Sequence, residues 1–236
     1  QKIKVIFCDS THSPLAELIP YNGCYDDSRK IRTQINWDKI TKMLVWEEIV
    51  AEKIKKQAEF LFDLNKNDEG ELLMSYIQQI HENEFTNREG FAAKVYFNAL
   101  FGMDFTRSES NAINAALNYG YSIILSAFNR EIVASGYLTQ LGIFHDNMFN
   151  HFNLSSDLME PYRILVDRTV YRMNITEFTS DTKHELWDVL NQKINIKGNN
   201  QYVLNAIRIY VHSVFEAINE NDVSKIATYS KEARKN

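Results

Sequence analysis

Three prolines, eight glycines and two cysteines are few for a chain of 236 residues, and each scarcity excludes something. So few breakers and turn formers point to long helices rather than a fold of many strands and tight turns. Cys8 and Cys24 cannot supply a disulfide framework, so a reducing, cytoplasmic setting is expected. No apolar run approaches the roughly 20 residues of a membrane span; the longest candidate, Tyr119 to Phe128, stops well short. The opening QKIKVIFCDS has too short an apolar stretch for a secretory signal. It begins with Gln and runs straight into a strand-like segment, so the chain reads as lacking upstream sequence. Basic charge is scarce too. The net charge is −5, whereas nucleic-acid binders usually carry a basic footprint.

What is present is ordinary for a soluble globular protein: 44% hydrophobic and 24% charged residues. Basic residues gather locally at Arg29, Lys30 and Arg32, at Lys53, Lys55 and Lys56, and at Lys231, Arg234 and Lys235. Solvated surface charge is the simplest account of all three groups. An acidic protein that handles DNA would need such patches, or bound metal ions, to offset its field.

Along the chain, residues 3–8 read as a strand and 16–21 as a second extended piece, followed by the turn-like NGCYDD. From Trp37 the spacing becomes helical, with Ile40, Leu44, Ile49 and Ile54 near one stripe that runs to about Asn65. A turn is expected at 67–70, then helices over 71–81, 86–101 and 108–135. The last of these carries little charge over several turns, as a central buried helix should. A loop rich in Phe and Asn, 142–154, leads to a helix from near Ser155, and further helices are expected at 181–192, 202–219 and 223–234. The fold class is therefore mainly α: residues 1–22 as a remnant of a small β domain, 23–36 as a linker, and 37–236 as one helical domain.

Three segments could carry chemistry. Thr86-Asn87-Arg88-Glu89, ahead of an apolar run, has the form of a capping box, in which Glu89 would reach back to the helix start. Gly142-Ile143-Phe144-His145-Asp146 holds a His in an aromatic setting, where a packed, hydrogen-bonded core residue is the commoner outcome. In Ser155-Ser156-Asp157-Leu158-Met159-Glu160-Pro161 the two acids are spaced i, i+3, so both carboxylates are expected to share one helical face. Acids there could simply complement the helix dipole, but Pro161 would break the helix beside them. Two carboxylates and an imidazole form a hard donor set suited to Mg²⁺ or Mn²⁺ rather than zinc. Spacing alone does not unite them.

The segments NREGFAAKVYFNALFG, INAALNYGYSIILSAFNREIVASGYLTQLGIFHDNMFN and NLSSDLMEPYRILVDR, in this order, resemble the CRISPR spacer-acquisition integrase family, most closely its type II branch. The resemblance runs from about Lys2 to the C-terminus and is densest between Arg88 and Arg168. It implies a helical catalytic domain behind an N-terminal β domain of which only the last strands are present here. It implies metal ligands at Glu89 of NREG, His145 of GIFH and Glu160 of DLMEP, with Asp157 as a supporting carboxylate. Much of the family has Asp where Glu160 stands. The implied reaction joins the 3′-hydroxyl ends of captured double-stranded DNA fragments to the leader end of a repeat array, by phosphodiester transesterification with Mg²⁺ or Mn²⁺. Water in place of the hydroxyl gives endonuclease cleavage. His145 would ligate as neutral imidazole, so activity should fall in acid. The implied partners are a second copy of the chain as a homodimer, a dimer of a small second adaptation protein, and in type II systems a DNA-end-binding ring protein and the RNA-guided effector nuclease. No membrane is implied.

Two rival readings remain at this level. A His-Asp metal phosphohydrolase would use His145-Asp146, yet His12 and His81 lie in no suitable motif for its further ligands. A non-catalytic helical DNA-binding or scaffold module would use the same acids and His as caps and core.

Overall fold

In the computed structural model, which describes residues 5–10, 13–18, 27–80 and 85–231, the apolar stripes of the sequence become helices. The order is β1 (Val5–Cys8), β2 (Pro14–Leu18), α1 (Asp27–Ile35), α2 (Lys39–Asp63), α3 (Asn67–Ile80), α4 (Phe85–Phe101), α5 (Ala112–Ala134), α6 (Asn153–Leu158) and α7 (Arg163–Met173). Then come α8 (Ser180–Trp187), β3 (Lys193–Ile196), β4 (Asn199–Tyr202), α9 (Val203–Glu220) and β5 (Tyr229–Lys231). The mainly helical class expected from composition holds. No helix among the described residues is long and apolar enough to cross a membrane.

The chain divides into two compact units: Gln1–Trp46 with Ser122–Met159 and Leu190–Asn236, and Glu47–Tyr121 with Glu160–Val189. These lines differ from the boundaries read at residues 22 and 36.

In the first unit β1 and β2 pair antiparallel, Val5 opposite Leu18, with most side chains exposed. Residues 23–36, read as a linker, contain α1. Its Gln34 is buried: Nε2 donates to the carbonyls of Leu138 and Leu141 at 2.8 and 2.9 Å, and Oε1 accepts from the Leu138 amide at 2.9 Å. One side chain thus fastens the chain after α5, where the loop to His145 begins. Nearby, Tyr137 stacks on Phe215 at 3.9 Å, and Asn219 accepts from the Trp37 indole and donates to the Tyr137 hydroxyl, both at 2.9 Å.

The C-terminal part of this unit departs from the all-helical expectation. Lys197 and Gly198 both have positive φ, 49° and 77°, which is the two-residue turn that matches strand twist, so 193–202 fold as a hairpin. Residues 223–234, expected to be a helix, make a short 3₁₀ turn capped by Asp222 and then β5, which pairs with β3 so that Tyr229 lies opposite Ile196. Tyr229, Ile194 and Ile196 are buried, and this burial overrides the local helical spacing. Residues 232–236 lie outside the described part.

In the second unit α3 begins at Asn67, inside the segment read as a turn, with Asp68 and Glu69 in its first turn where they complement the helix dipole. The turn itself falls two residues before the expected one, at Asn65, whose φ is 58°. Farther along, Asn111 accepts from the Asn114 amide at 2.8 Å, which fixes the start of α5 four residues after the expected Ser108. Pro161 acts as expected. The helix stops at Leu158, and Glu160–Tyr162 form a 3₁₀ turn leading into α7.

The Gln34→Leu substitution should leave three backbone groups of the 138–141 segment unpaired. A stability loss of about 2–3 kcal/mol is expected in urea denaturation, with faster hydrogen exchange at the Leu138 amide. Unchanged exchange there would remove Gln34 from this role.

Candidate functional site

A carboxylate taken out of water must find a cation or dense hydrogen bonding, and each unit meets that need differently. In the second unit Glu160 is only 4% exposed. Its Oε2 lies 2.5 Å from Lys53 Nζ and its Oε1 lies 2.8 Å from Arg163. Lys53 also donates to Glu89 Oε1 at 2.6 Å. Three elements converge here: α2 brings Lys53, α4 brings Glu89, and the proline turn brings Glu160 with Arg163 one step behind it. Burial disfavours the Lys53 charge, but the Glu160 and Glu89 carboxylates outweigh it and hold the ammonium pKa above its ordinary value.

The start of α4 differs from the one the capping box supposes. The helix begins at Phe85, so Thr86 falls inside its first turn, and the Glu89 carboxylate is spent on Lys53. The basic group at residues 53–56 is likewise no solvated patch. Only Lys55 is exposed, and Lys56 pairs within its own helix with Glu52 and Glu59 at 3.0 and 3.2 Å.

Next to Glu160 a cavity of about 260 Å³ is lined by Lys53, Arg107, Tyr121, Arg163 and Asp167, among others. Asp167 is fully buried and accepts from the Tyr121 hydroxyl at 2.5 Å and the Tyr96 hydroxyl at 3.1 Å. Burial pushes its carboxyl up to about 6, against the opposing pull of these hydroxyls and of Arg163 and Arg107. Both guanidinium groups sit over the Tyr121 ring, at 5.1 and 5.4 Å. Neither Lys53 nor Asp167 was singled out from sequence. Asp167 lies within the quoted NLSSDLMEPYRILVDR, but nothing local marks it as buried.

In the first unit Asp157 has no exposed surface. Its Oδ2 accepts from the amides of Ile143 at 2.6 Å and Phe144 at 3.1 Å. Its Oδ1 accepts from the His145 amide at 3.1 Å and from the ring nitrogen Nδ1 at 2.5 Å. Because a carboxylate only accepts, Nδ1 carries a proton, and in the neutral ring the lone pair is then on Nε2, the tautomer a metal-ligating histidine needs. Gly142 makes this wrapping possible: a Cβ there would sit 2.2 Å from the His145 carbonyl and 2.8 Å from Asp157 Oδ2. Trp46 lies flat against Phe144, ring centres 4.6 Å apart, and edge-on to His145.

Asp157 and Glu160 therefore do not share a helical face, since α6 ends between them. The structure gathers Glu89 with Glu160 on one ammonium, and His145 with Asp157. Within neither unit do three or more His, Cys, Asp or Glu side chains cluster as a metal cage among the described residues. The chemistry of the carboxylate pair still suits a hard divalent ion. Two oxygen donors from different elements already meet around one positive charge, and Lys53 stands where such a cation would be drawn.

Comparisons with known proteins bear on the family and the fold. The family model described as CRISPR associated protein Cas1 matches residues 1–185. A CRISPR-associated endonuclease Cas1 of Neisseria meningitidis serogroup C (strain 8013) is 33% identical over 228 residues, which are 94% of this chain and 75% of that protein. Among solved structures, a casposase bound to integration product aligns over 95% of this chain and 79% of its own, with a TM-score of 0.76 and 19% identity. A chain of a partial Cas6-RT-Cas1–Cas2 complex aligns over 99% of this chain and 82% of its own, with a TM-score of 0.80 and 18% identity. At such identities the solved structures show a shared fold.

Two outcomes are expected. Asp157→Asn places an amide among four donors, so it should cost about 2–4 kcal/mol and speed hydrogen exchange at Ile143, Phe144 and His145; protection as in the parent would refute the clamp. For Asp167, the native carboxyl holds its proton to about pH 6 while the unfolded one releases it near 3.8. Between those values the native state binds more protons, so stability falls as pH rises through the window. Measured by urea denaturation, the stability of the parent relative to Asp167→Asn should drop by about 2 kcal/mol from pH 4 to pH 7. A flat difference would place the carboxyl in an ordinary environment.

Proposed function

The chain belongs to the Cas1 family of CRISPR-associated proteins, and on that footing we propose that it is a divalent-metal-dependent DNA integrase and endonuclease of CRISPR adaptation. The observation that carries this reading is the convergence of Glu89 and Glu160 on one cation. In the proposal these two carboxylates and His145 hold Mg²⁺ or Mn²⁺, and Asp157 stays a supporting residue because all its contacts go to the 143–145 segment. The ion, when bound, polarises a phosphoryl oxygen and lowers the pKa of the attacking hydroxyl or water.

The remaining work falls to the chain itself. The Asp157 carboxylate keeps the imidazole in one tautomer and one orientation. Arg163, already paired with Glu160, supplies positive charge beside the site where charge builds on a phosphoryl group. Lys53 balances the two carboxylates before the ion arrives. In the joining step the 3′-oxygen of a captured DNA end forms a bond to phosphorus, and the bond from that phosphorus to the departing 3′-oxygen of the target strand breaks. One phosphodiester is exchanged for another, so no external energy source is needed. With water as nucleophile the same site cleaves DNA.

The casposase neighbour is bound to an integration product and the other neighbour lies in a complex with Cas2. By analogy the partners proposed here are double-stranded DNA, a small second adaptation protein of the Cas2 type, and a second copy of this chain. A DNA-end-binding ring protein and an RNA-guided effector nuclease are proposed as further associates.

Calorimetric titration with Mn²⁺ tests the ligand set. Binding should be lost in Glu160→Gln, Glu89→Gln and His145→Ala. Lys53→Met should bind the ion roughly tenfold tighter, because a competing charge is gone. The same variant should lose about 3–5 kcal/mol without metal and recover most of it with Mn²⁺. In parallel, joining of a DNA fragment with free 3′-hydroxyls into a supercoiled plasmid should require the ion and the two glutamates. Equal Mn²⁺ binding in parent and variants, or joining without any divalent ion, would sink the proposal.

A further inference from the structure

Lys53 donates to the same two acids that the proposed metal site assigns to a divalent ion. Its Nζ stands 2.6 Å from Glu89 Oε1 and 2.5 Å from Glu160 Oε2. An ammonium and a doubly charged ion cannot share those oxygens, because like charges so close together in a buried setting repel strongly. The Lys53 side chain is only 12% exposed. An ammonium driven off the carboxylates therefore needs a new acceptor within the protein, and water outside does not serve.

Gln57 supplies that acceptor. It follows Lys53 by four residues in α2, so the two side chains leave the same face of the helix one turn apart. Both line the cavity of about 260 Å³ beside Glu160. Gln57 is 5% exposed, and its Oε1 has no hydrogen-bond partner among the described residues. A buried amide oxygen without a donor is unfavourable. The other polar groups on this wall suit an ammonium less well. Arg107 and Arg163 are cations, and each Asp167 oxygen already accepts from a tyrosine hydroxyl. Thus one helix carries an acceptor that lacks a donor and, one turn earlier, a donor whose present acceptors are the proposed ligands. Lysine suits such an exchange, since its flexible stem and three rotatable donors change partners without moving the helix.

We propose that Gln57 is a positioning residue of the metal site, receiving the Lys53 ammonium when a divalent ion takes Glu89 and Glu160. Lys53 then has two seats: the carboxylates without the ion, and Gln57 Oε1 with it. The second seat sets how tightly the ion is held, because an ammonium with nowhere to go would stay and compete. This rests on the metal-dependent reading, and deepens it by naming the residue that lets Lys53 yield its place.

The test is calorimetric titration of the full chain with Mn²⁺, alongside thermal melting without metal. Gln57→Leu keeps the volume and removes the acceptor. It should bind Mn²⁺ about tenfold more weakly than the parent, yet melt at the parent temperature or above, since the parent oxygen has no bond to lose. Gln57→Glu keeps an acceptor oxygen and should bind at least as tightly as the parent. When Lys53→Met is already present, adding Gln57→Leu should change the Mn²⁺ affinity by less than about twofold, because the side chain that needs the seat is gone. Two results overturn the proposal and leave the metal-dependent reading standing: Gln57→Leu binding Mn²⁺ as the parent does, or the same weakening with Lys53→Met as without it. A parent that binds no Mn²⁺ brings down both.

Discussion

A glutamate as deeply buried as Glu160 keeps its negative charge only with positive charge at hand, and Lys53 and Arg163 supply it from opposite sides of the carboxylate. Lys53 also holds Glu89, so one ammonium fixes two acids from distant parts of the chain. The arrangement is close to neutral, which makes the burial tolerable. The elements around it follow from that need. α2 must run past α4 with Lys53 inward, and the chain must break its helix at Pro161 so that Glu160 leads into α7.

The same logic recurs with neutral donors around Asp157. Here three amides and an imidazole replace the cations, and the consequence is a backbone wrapped so tightly around a carboxylate that only glycine fits at 142. Asp167 is a third solution. It is surrounded by two phenols and two stacked guanidinium groups at one side of a small cavity, and burial prevails over its partners enough to raise its proton affinity. Three buried acids thus have three kinds of support: direct ion pairing, backbone amides, and hydroxyls with more distant charge.

How much of this was legible beforehand depends on range. The apolar spacing of α2, α4, α5 and α9 predicts helices close to those observed, because helical periodicity is a local property. Pro161 marks its break for the same reason. Glu89, His145, Asp157 and Glu160 stood out through their motifs. Their partners did not: Lys53 looked like one of three surface lysines, Asp167 like any acid on a helix, and Gln34 like part of a linker. Each acquires its role from a contact across many residues of chain, and nothing in the neighbouring sequence records that contact. The hairpin at 193–202 and strand β5 were missed for the same reason, since a strand of three residues is stable only through the partner it finds.

The sequence by itself therefore determined the helical class, the break at Pro161 and the residue types that make Glu89, His145, Asp157 and Glu160 candidates, all of them properties of residue type and short spacing. Only the tertiary structure decided which of those acids are buried, which cation or amide each one meets, and that Glu89 pairs with Lys53 while Asp157 accepts from the His145 ring. Burial and charge pairing are settled by what lies beside a side chain in space, and for these residues that neighbour comes from another part of the chain.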